Sequence, residues 1–390
     1  MGAGINMQNL IWKFSDDLKD MALDHRGVHT PRPGHVFIIS DLAQIEPRCL
    51  NWLAGNKVFL GACKTMSLYQ AAAIAQGTWS MDRGDLKQEN KDLYALTKAQ
   101  VLALGYGASH NKFIIMMGTF GMDAAELLGT TATGVEIAEF KQYLARLDEM
   151  TKSKMWSGQI KGLTKAELCL QVNARNIVKN WRAQNPKITS LWNTWGDKLM
   201  EACKDRRDCF SVTMPSGREL KFWHPRLRRE KKDGVSDVSM TCYKRAPVPG
   251  RNNNTYRRHI YGAMVAQNLN QGFARDVLGH HMIRIDEELG LPILWSVHDE
   301  VIVECPETKA EEMLIKIRDI MSTAPDWAPG LPIACEAEIA DRYQKAPRSD
   351  EYMDQYATLA PSSVERWGDL LPGRAITKRE YVLIEKARTR

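Results

Sequence analysis

No uninterrupted apolar stretch in this chain of 390 residues is long enough to cross a bilayer, and no basic-then-apolar leader opens it. A myristoylation pattern is missing too, since Asn6 stands where that pattern needs Ser or Thr. Nor do the eight cysteines form a C-x-x-C pair; the nearest spacing is Cys203 to Cys209. A zinc site is therefore not expected, and reduced thiols in a cytoplasmic protein are the default. Cys49, Cys169 and Cys335 sit in apolar company and read as core residues. No internal repeat is visible.

What the chain does have is size and a modest positive charge. Its length suffices for a large core, as one multi-lobed unit or as two domains. The net charge is +6, and the basic residues are unevenly placed. Arg226, Arg228, Arg229, Lys231 and Lys232 follow Phe222-Trp223-His224, and Arg257-Arg258-His259 comes later. A basic run beside aromatics suits contact with a nucleic-acid backbone. The alternative is an ordinary solvated loop.

The most informative segment is Val297-His298-Asp299-Glu300-Val301. It sets acids between two apolar runs, Ile293 to Val297 and Val301 to Val303, which reads as a strand, a tight turn and a return strand. A carboxylate at a hairpin tip does nothing for a core, although Asp is also a common turn residue. A second acid occupies a comparable place. His35 to Ser40 is strand-like and ends in Asp41; a helix-like stretch, Cys49 to Ala54, follows and is closed by Gly55. Pro47 is tolerated near the first helical turn. Two carboxylates at strand ends are what a pair of divalent cations needs, and two metals about 4 Å apart serve phosphoryl transfer.

Between the two acids, Lys87 to Gly105 reads as one helix, followed by Tyr106-Gly107. Steps of four keep Tyr94, Lys98, Leu102 and Tyr106 on one ridge, where a lysine is placed to hold a triphosphate and Tyr106 to stack near a base. An amphipathic helix whose lysine snorkels to water is the plainer reading.

Taken together, these elements resemble the family A (polymerase I-like) DNA polymerases, in the form of the bacteriophage branch. Asp41 to Arg48 looks like the family's first catalytic motif, Lys98 with Tyr106-Gly107 its fingers-helix motif, and His298-Asp299-Glu300 its third. Gln8-Asn9-Leu10, Pro215 to Leu220, Tyr261-Gly262, Gln267 to Asp276, Gly330-Leu331-Pro332 and Arg342-Tyr343 agree as well. The likeness covers roughly residues 5 to 346.

The resemblance implies an α+β fold, a right-hand palm with an antiparallel sheet plus helical fingers. Residues 1–56 would be the first part of the palm, 57–200 the fingers, 201–346 the second part of the palm and 347–390 a C-terminal extension. Asp41 and Asp299 would ligate two Mg²⁺ ions (Mn²⁺ as a possible substitute), with the carbonyl of Leu42 completing the site. Lys98 would contact the triphosphate, Tyr106 and Gly107 would sit at the nucleotide pocket, and Glu46 would be the steric gate excluding a 2′-hydroxyl. Glu300 and His298 would shape the primer end. Gln8, Asn9, Arg218, Asn268 and Gln271 would touch primer or template, with Arg228 and Arg229 from the basic run. The reaction would be attack of the primer 3′-oxygen on the α-phosphate of a dNTP.

Two departures stand out. Tyr94 occupies the place of the family's usual arginine, four residues before the lysine, and Lys91 lies on nearly the same face. Leu102 takes the place of an aromatic in the nucleotide pocket. Whether Gln267 or Asn268 matches the family's asparagine stays open.

Only 40 residues precede Asp41. The expectation is a split polymerase, whose thumb and exonuclease regions lie on a separate subunit, or a partnership with another replication protein. Residues 347–390 would be a docking tail or a solvated one. A protein of the cytoplasm, that of a host cell if viral, is expected. The alternatives are a non-catalytic DNA- or partner-binding remnant and a single-subunit RNA polymerase relative. Glu46 argues against the latter.

Overall fold

Alternating apolar residues build two antiparallel sheets. The computed structural model describes residues 29–151, 155–232, 235–243 and 257–343. Its strands in chain order are β1 (His35–Leu42), β2 (Cys209–Thr213), β3 (Glu219–Lys232) and β4 (Val235–Tyr243). They are followed by β5 (Arg257–His259), β6 (Ile293–Val297), β7 (Glu300–Pro306) and β8 (Cys335–Ala340). With the intervening helices they make the mixed α+β fold expected. The chain divides into two compact units. One comprises the described parts of Met1–Ala43, Val277–Thr323 and Ile333–Arg390; the other comprises those of Gln44–Asp276 and Ala324–Pro332.

The first unit is built on a sheet of order β6-β7-β1-β8. β1 runs against β7 from His35 opposite Pro306 to Asp41 opposite Glu300, and on its other side Asp41 faces Glu336 in β8. Because side chains alternate, Ile38, Ser40 and Leu42 share a face with Val301 and Val303, and all five are fully buried. The helix Ala310–Met321 packs against β1 and β8 and buries Met313, Ile317, Ile320 and Met321. Phe37, Ile39, Val297 and Ile302 cluster instead with Tyr343. Burying one such aliphatic side chain is worth about 1.5–3 kcal/mol. A slip of one residue would turn Asp41 toward the fully buried face, so the apolar pattern itself holds the acid at the strand end.

The second unit holds a sheet of order β2-β3-β4-β5. Phe210, Val212, Phe222 and Cys242 form a core with Leu199 and Cys203 of the helix Pro186–Lys204 and with Val265 and Leu269 of the helix Gly262–Leu289. A second core in this unit includes Trp181 and Trp192, stacked at 6.2 Å.

Some expectations are corrected. Lys87 to Gly105 is not one helix but two, Leu86–Glu89 and Lys91–Leu104. Asn90 breaks it: its side-chain oxygen accepts the Leu93 N–H at 2.9 Å and so starts a new helix in place of continuing the old one. The second helix ends at Leu104, so Tyr106 lies past it and does not extend the ridge of Tyr94, Lys98 and Leu102. A 3₁₀ turn, Glu307–Lys309, leads into the α-helix that starts at Ala310. Cys49 and Cys169 are buried, whereas Cys335 is only partly so. Gln8, Asn9 and the 347–390 extension lie outside the described residues. No helix among the described residues is long and apolar enough to cross a membrane.

Candidate active site

In the first unit, the end of β1 meets the turn between β6 and β7. Val297 pairs with Glu300, so His298 and Asp299 alone make the turn. His298 adopts a left-handed backbone, φ 54°, a conformation that costs a non-glycine residue roughly 1–2 kcal/mol. Such strain persists only where the surroundings enforce it. Here the ladder enforces it on both sides, and the Leu42 N–H donates to the Asp299 carbonyl at 3.1 Å. That bond ties the turn to the strand end carrying Asp41. Asp41 and Asp299 are both half-buried.

The carboxylate beside them behaves differently. Glu300 is 3% exposed, and its Oε1 accepts from the Tyr343 hydroxyl at 2.7 Å. Tyr343 is itself fixed: its N–H donates to the His29 carbonyl at 3.0 Å, and its ring meets Trp295 edge-on. On β8, burial and then the charge of Asp41 push the Cys335 thiol up to about 12, so it stays protonated near neutrality. Among the described residues no group of three or more His, Cys, Asp or Glu is arranged to hold a metal ion. Asp41 and Asp299 with main-chain oxygen form an all-oxygen set of the kind Mg²⁺ accepts when waters and phosphates supply the rest.

The second unit holds a separate group. Lys98 is exposed on the helix Lys91–Leu104, with no ion-pair partner among the described residues. Lys91 is exposed at the first position of that helix, Tyr94 packs edge-on against Tyr69, and Leu102 is half-buried. Beyond the helix end, the Tyr106 hydroxyl donates to Glu46 Oε2 at 3.3 Å. The Asn270 amide donates to the Tyr106 oxygen at 2.6 Å and to the Glu46 carbonyl at 2.9 Å. Burial first, and then the Glu46 charge, hold the Tyr106 phenol well above its ordinary value, so it remains a donor. Asn270 is fully buried, and its Oδ1 has no partner among the described residues. An unmet buried acceptor costs about 1–3 kcal/mol.

Gly107 is required by its surroundings. Its φ is +76°, and a Cβ there would lie 2.7 Å from the Ala263 Cβ. Gln44, just before the helix that carries Glu46, is also left-handed at φ 56°, and its side chain accepts the Leu68 N–H at 2.8 Å. Arg48 is buried, with hydrogen bonds to the carbonyls of Cys63 and Pro332, and its role is structural.

Of the residues expected to touch primer or template, Gln271 is exposed, Asn268 half-buried, and His298 and Arg228 exposed. Arg229 lies on β3, within the basic run. Arg218 is already engaged: its guanidinium bonds Asp276 Oδ1 and the Gly272 carbonyl, anchoring the β2–β3 turn to the helix Gly262–Leu289. The structure also brings forward two residues to which sequence reasoning gave no role, Asn270 and Tyr343. For Asn270 a signal was present: with Ala263, Ala266, Phe273 and Val277 at helical spacing, an amide stands inside an apolar stripe. Tyr343 gave no local signal, because its partner is 43 residues away.

Residues 171–345 match the model of DNA polymerase family A. The chain is 26% identical over 336 residues to the DNA polymerase of Bacillus phage SP02, covering 82% of this chain and 43% of that protein. In structure it is similar to the POL domain of Pol1 from M. smegmatis, described in complex with DNA primer-template and dNTP. The TM-score is 0.50 at 16% identity, over 87% of this chain and 44% of the other, a likeness of fold. The chain thus spans less than half the length of both.

Proposed function

We propose that this chain carries out template-directed DNA synthesis, transferring a nucleotide from a dNTP to a primer 3′-hydroxyl with loss of pyrophosphate. The observation that carries the reading is the hydrogen bond from the Leu42 N–H to the Asp299 carbonyl at 3.1 Å, which makes Asp41 and Asp299 neighbours on adjacent strand ends. Asp41, Asp299 and the Leu42 carbonyl would hold two Mg²⁺ ions, or Mn²⁺ in their place. Such ions activate the attacking oxygen and neutralise charge on the leaving phosphate. The protein's own part is mainly positioning and electrostatics.

Lys98 would contact the triphosphate, with Lys91 supplying a second charge in place of the arginine replaced by Tyr94. Tyr106, Gly107 and Leu102 would line the nucleotide pocket, and Glu46 would lie beneath the sugar. His298 and Glu300 would bound the primer end. Gln8, Asn9, Arg218, Asn268, Gln271, Arg228 and Arg229 would approach the primer-template, where phosphate contacts supply much of the affinity. In this reading 1–56 and 201–346 are palm, 57–200 fingers and 347–390 an extension; the two compact units cut the chain elsewhere, at 43/44 and 276/277. A separate polypeptide bearing thumb and exonuclease regions is the proposed partner, and a cytoplasmic setting the proposed location. Glu46, held by Tyr106 and Asn270, favours deoxynucleotides over a ribonucleotide-polymerising role.

The test is extension of a labelled primer by the purified chain with Mg²⁺ and dNTPs, beside Asp299→Asn. Extension is expected to fall on the order of 10³-fold in the variant with its fold unchanged. Equal extension by both proteins would overturn the reading. Folded wild type that binds DNA without extending it, and is not restored by a thumb-bearing partner, would favour a non-catalytic role.

A further inference from the structure

One amide holds Glu46 from two sides. Asn270 donates to the Glu46 main-chain carbonyl at 2.9 Å and to the Tyr106 oxygen at 2.6 Å, and Tyr106 in turn donates to the Glu46 carboxylate. A main-chain carbonyl only accepts, so the Asn270 atom facing it must be the NH₂, and its second hydrogen faces Tyr106. A phenol has one proton. With Asn270 donating to its oxygen, that proton has to be given elsewhere, and the acceptor beside it is Glu46 Oε2. The chain of donors therefore has a fixed direction: Asn270 to Tyr106 to Glu46.

The remaining Asn270 atom, Oδ1, is buried and bonded to nothing among the described residues. Packing alone would be served better by an apolar side chain in this stripe. The amide is kept for what its two hydrogens do.

We infer that Asn270 is a specificity-determining positioning residue: by aiming the Tyr106 proton at Glu46 it sets where that carboxylate lies beneath the nucleotide sugar. The inference rests on the polymerase reading. Asn270 itself does not touch the sugar; it acts through Tyr106 and through the Glu46 backbone.

The test compares kcat/KM for a dNTP and the matching rNTP in single-nucleotide primer extension. The proteins are the wild type, Asn270→Asp, Asn270→Ala and, as reference, Glu46→Ala. Asp is nearly isosteric but offers only acceptors when ionised, so it draws the Tyr106 proton away from Glu46. Asn270→Asp is expected to lower the dNTP/rNTP ratio roughly tenfold, and Asn270→Ala to lower it less, since a charge-assisted hydrogen bond is lost in the first case. A merely structural role would lower kcat or thermal stability for both nucleotides alike and leave the ratio unmoved.

Should Asn270→Asp fail to fold, the pair Asn270→Ala and Tyr106→Phe decides. Their effects on the ratio are expected to be non-additive in the double variant, and full additivity would overturn the inference. An unchanged ratio in both Asn270 variants, with Glu46→Ala relaxed, overturns the inference and leaves the polymerase reading standing. A folded wild type that extends no primer, alone or with a thumb-bearing partner, overturns both.

Discussion

Glu300 accepts from the Tyr343 hydroxyl at 2.7 Å with both side chains buried, whereas Glu46 accepts from Tyr106 at 3.3 Å with both only half-buried. The first pair belongs to the sheet unit. Its tyrosine is also tied through its backbone to His29 and through its ring to Trp295, so several segments close around one carboxylate. The second pair belongs to the helical unit and depends on a third residue, Asn270, for its direction. A buried, short, doubly anchored pair secures structure. On the proposed reading, the longer, partly exposed one sets the position of a group that faces the nucleotide.

The comparison can be broken most forcefully at the tyrosines. Tyr106→Phe is expected to change nucleotide selection by roughly tenfold, with only about 1 kcal/mol lost from stability. Tyr343→Phe should do the reverse: about 1–3 kcal/mol of stability goes with the buried hydrogen bond to Glu300, while the dNTP/rNTP ratio holds. Thermal melts and single-nucleotide extension of both variants check this, and a selectivity change in Tyr343→Phe would erase the distinction. Gly107→Ala should cost about 1–3 kcal/mol, from the left-handed φ of +76° and the 2.7 Å approach to Ala263. A melt matching wild type would mean that the helix end is free to shift.

The smallest expected effect is common to both units. His281 in the first and His110 in the second are buried and pushed down to about 4 from 6.5, chiefly by burial, with Arg175 and Arg182 adding to the effect at His110. Each is therefore neutral when folded and takes up a proton more readily when unfolded. Their stability contribution is complete above about pH 6.5 and lost as the pH falls through about 4. His110→Gln should flatten the decline of melting temperature between pH 7 and 5. An unchanged slope would place the acid sensitivity elsewhere.

Much of the carboxylate end was legible in sequence. Period-two runs around Asp41 and Asp299 mark strands, and strands of that kind pair, so both acids fall at strand ends. Lys98 was legible as an exposed helical residue for the same reason of periodicity. The break at Asn90 was not, because a capping side chain competes with helix continuation only through local geometry. The engagement of Arg218 with Asp276 was equally hidden, since 58 residues separate the two.

By itself, then, the sequence determined the mixed α+β character, the strand-end placement of Asp41 and Asp299 and the likeness to a polymerase family. The strand ends follow from residue type and spacing along the chain, and the fold class from the likeness. Only the tertiary structure decided that Glu300 turns inward to Tyr343, that Arg218 is held by Asp276, and that Asn270 directs Tyr106 toward Glu46. Hydrogen bonds between distant residues depend on which faces meet when helices and strands pack, and no spacing along the chain encodes that meeting.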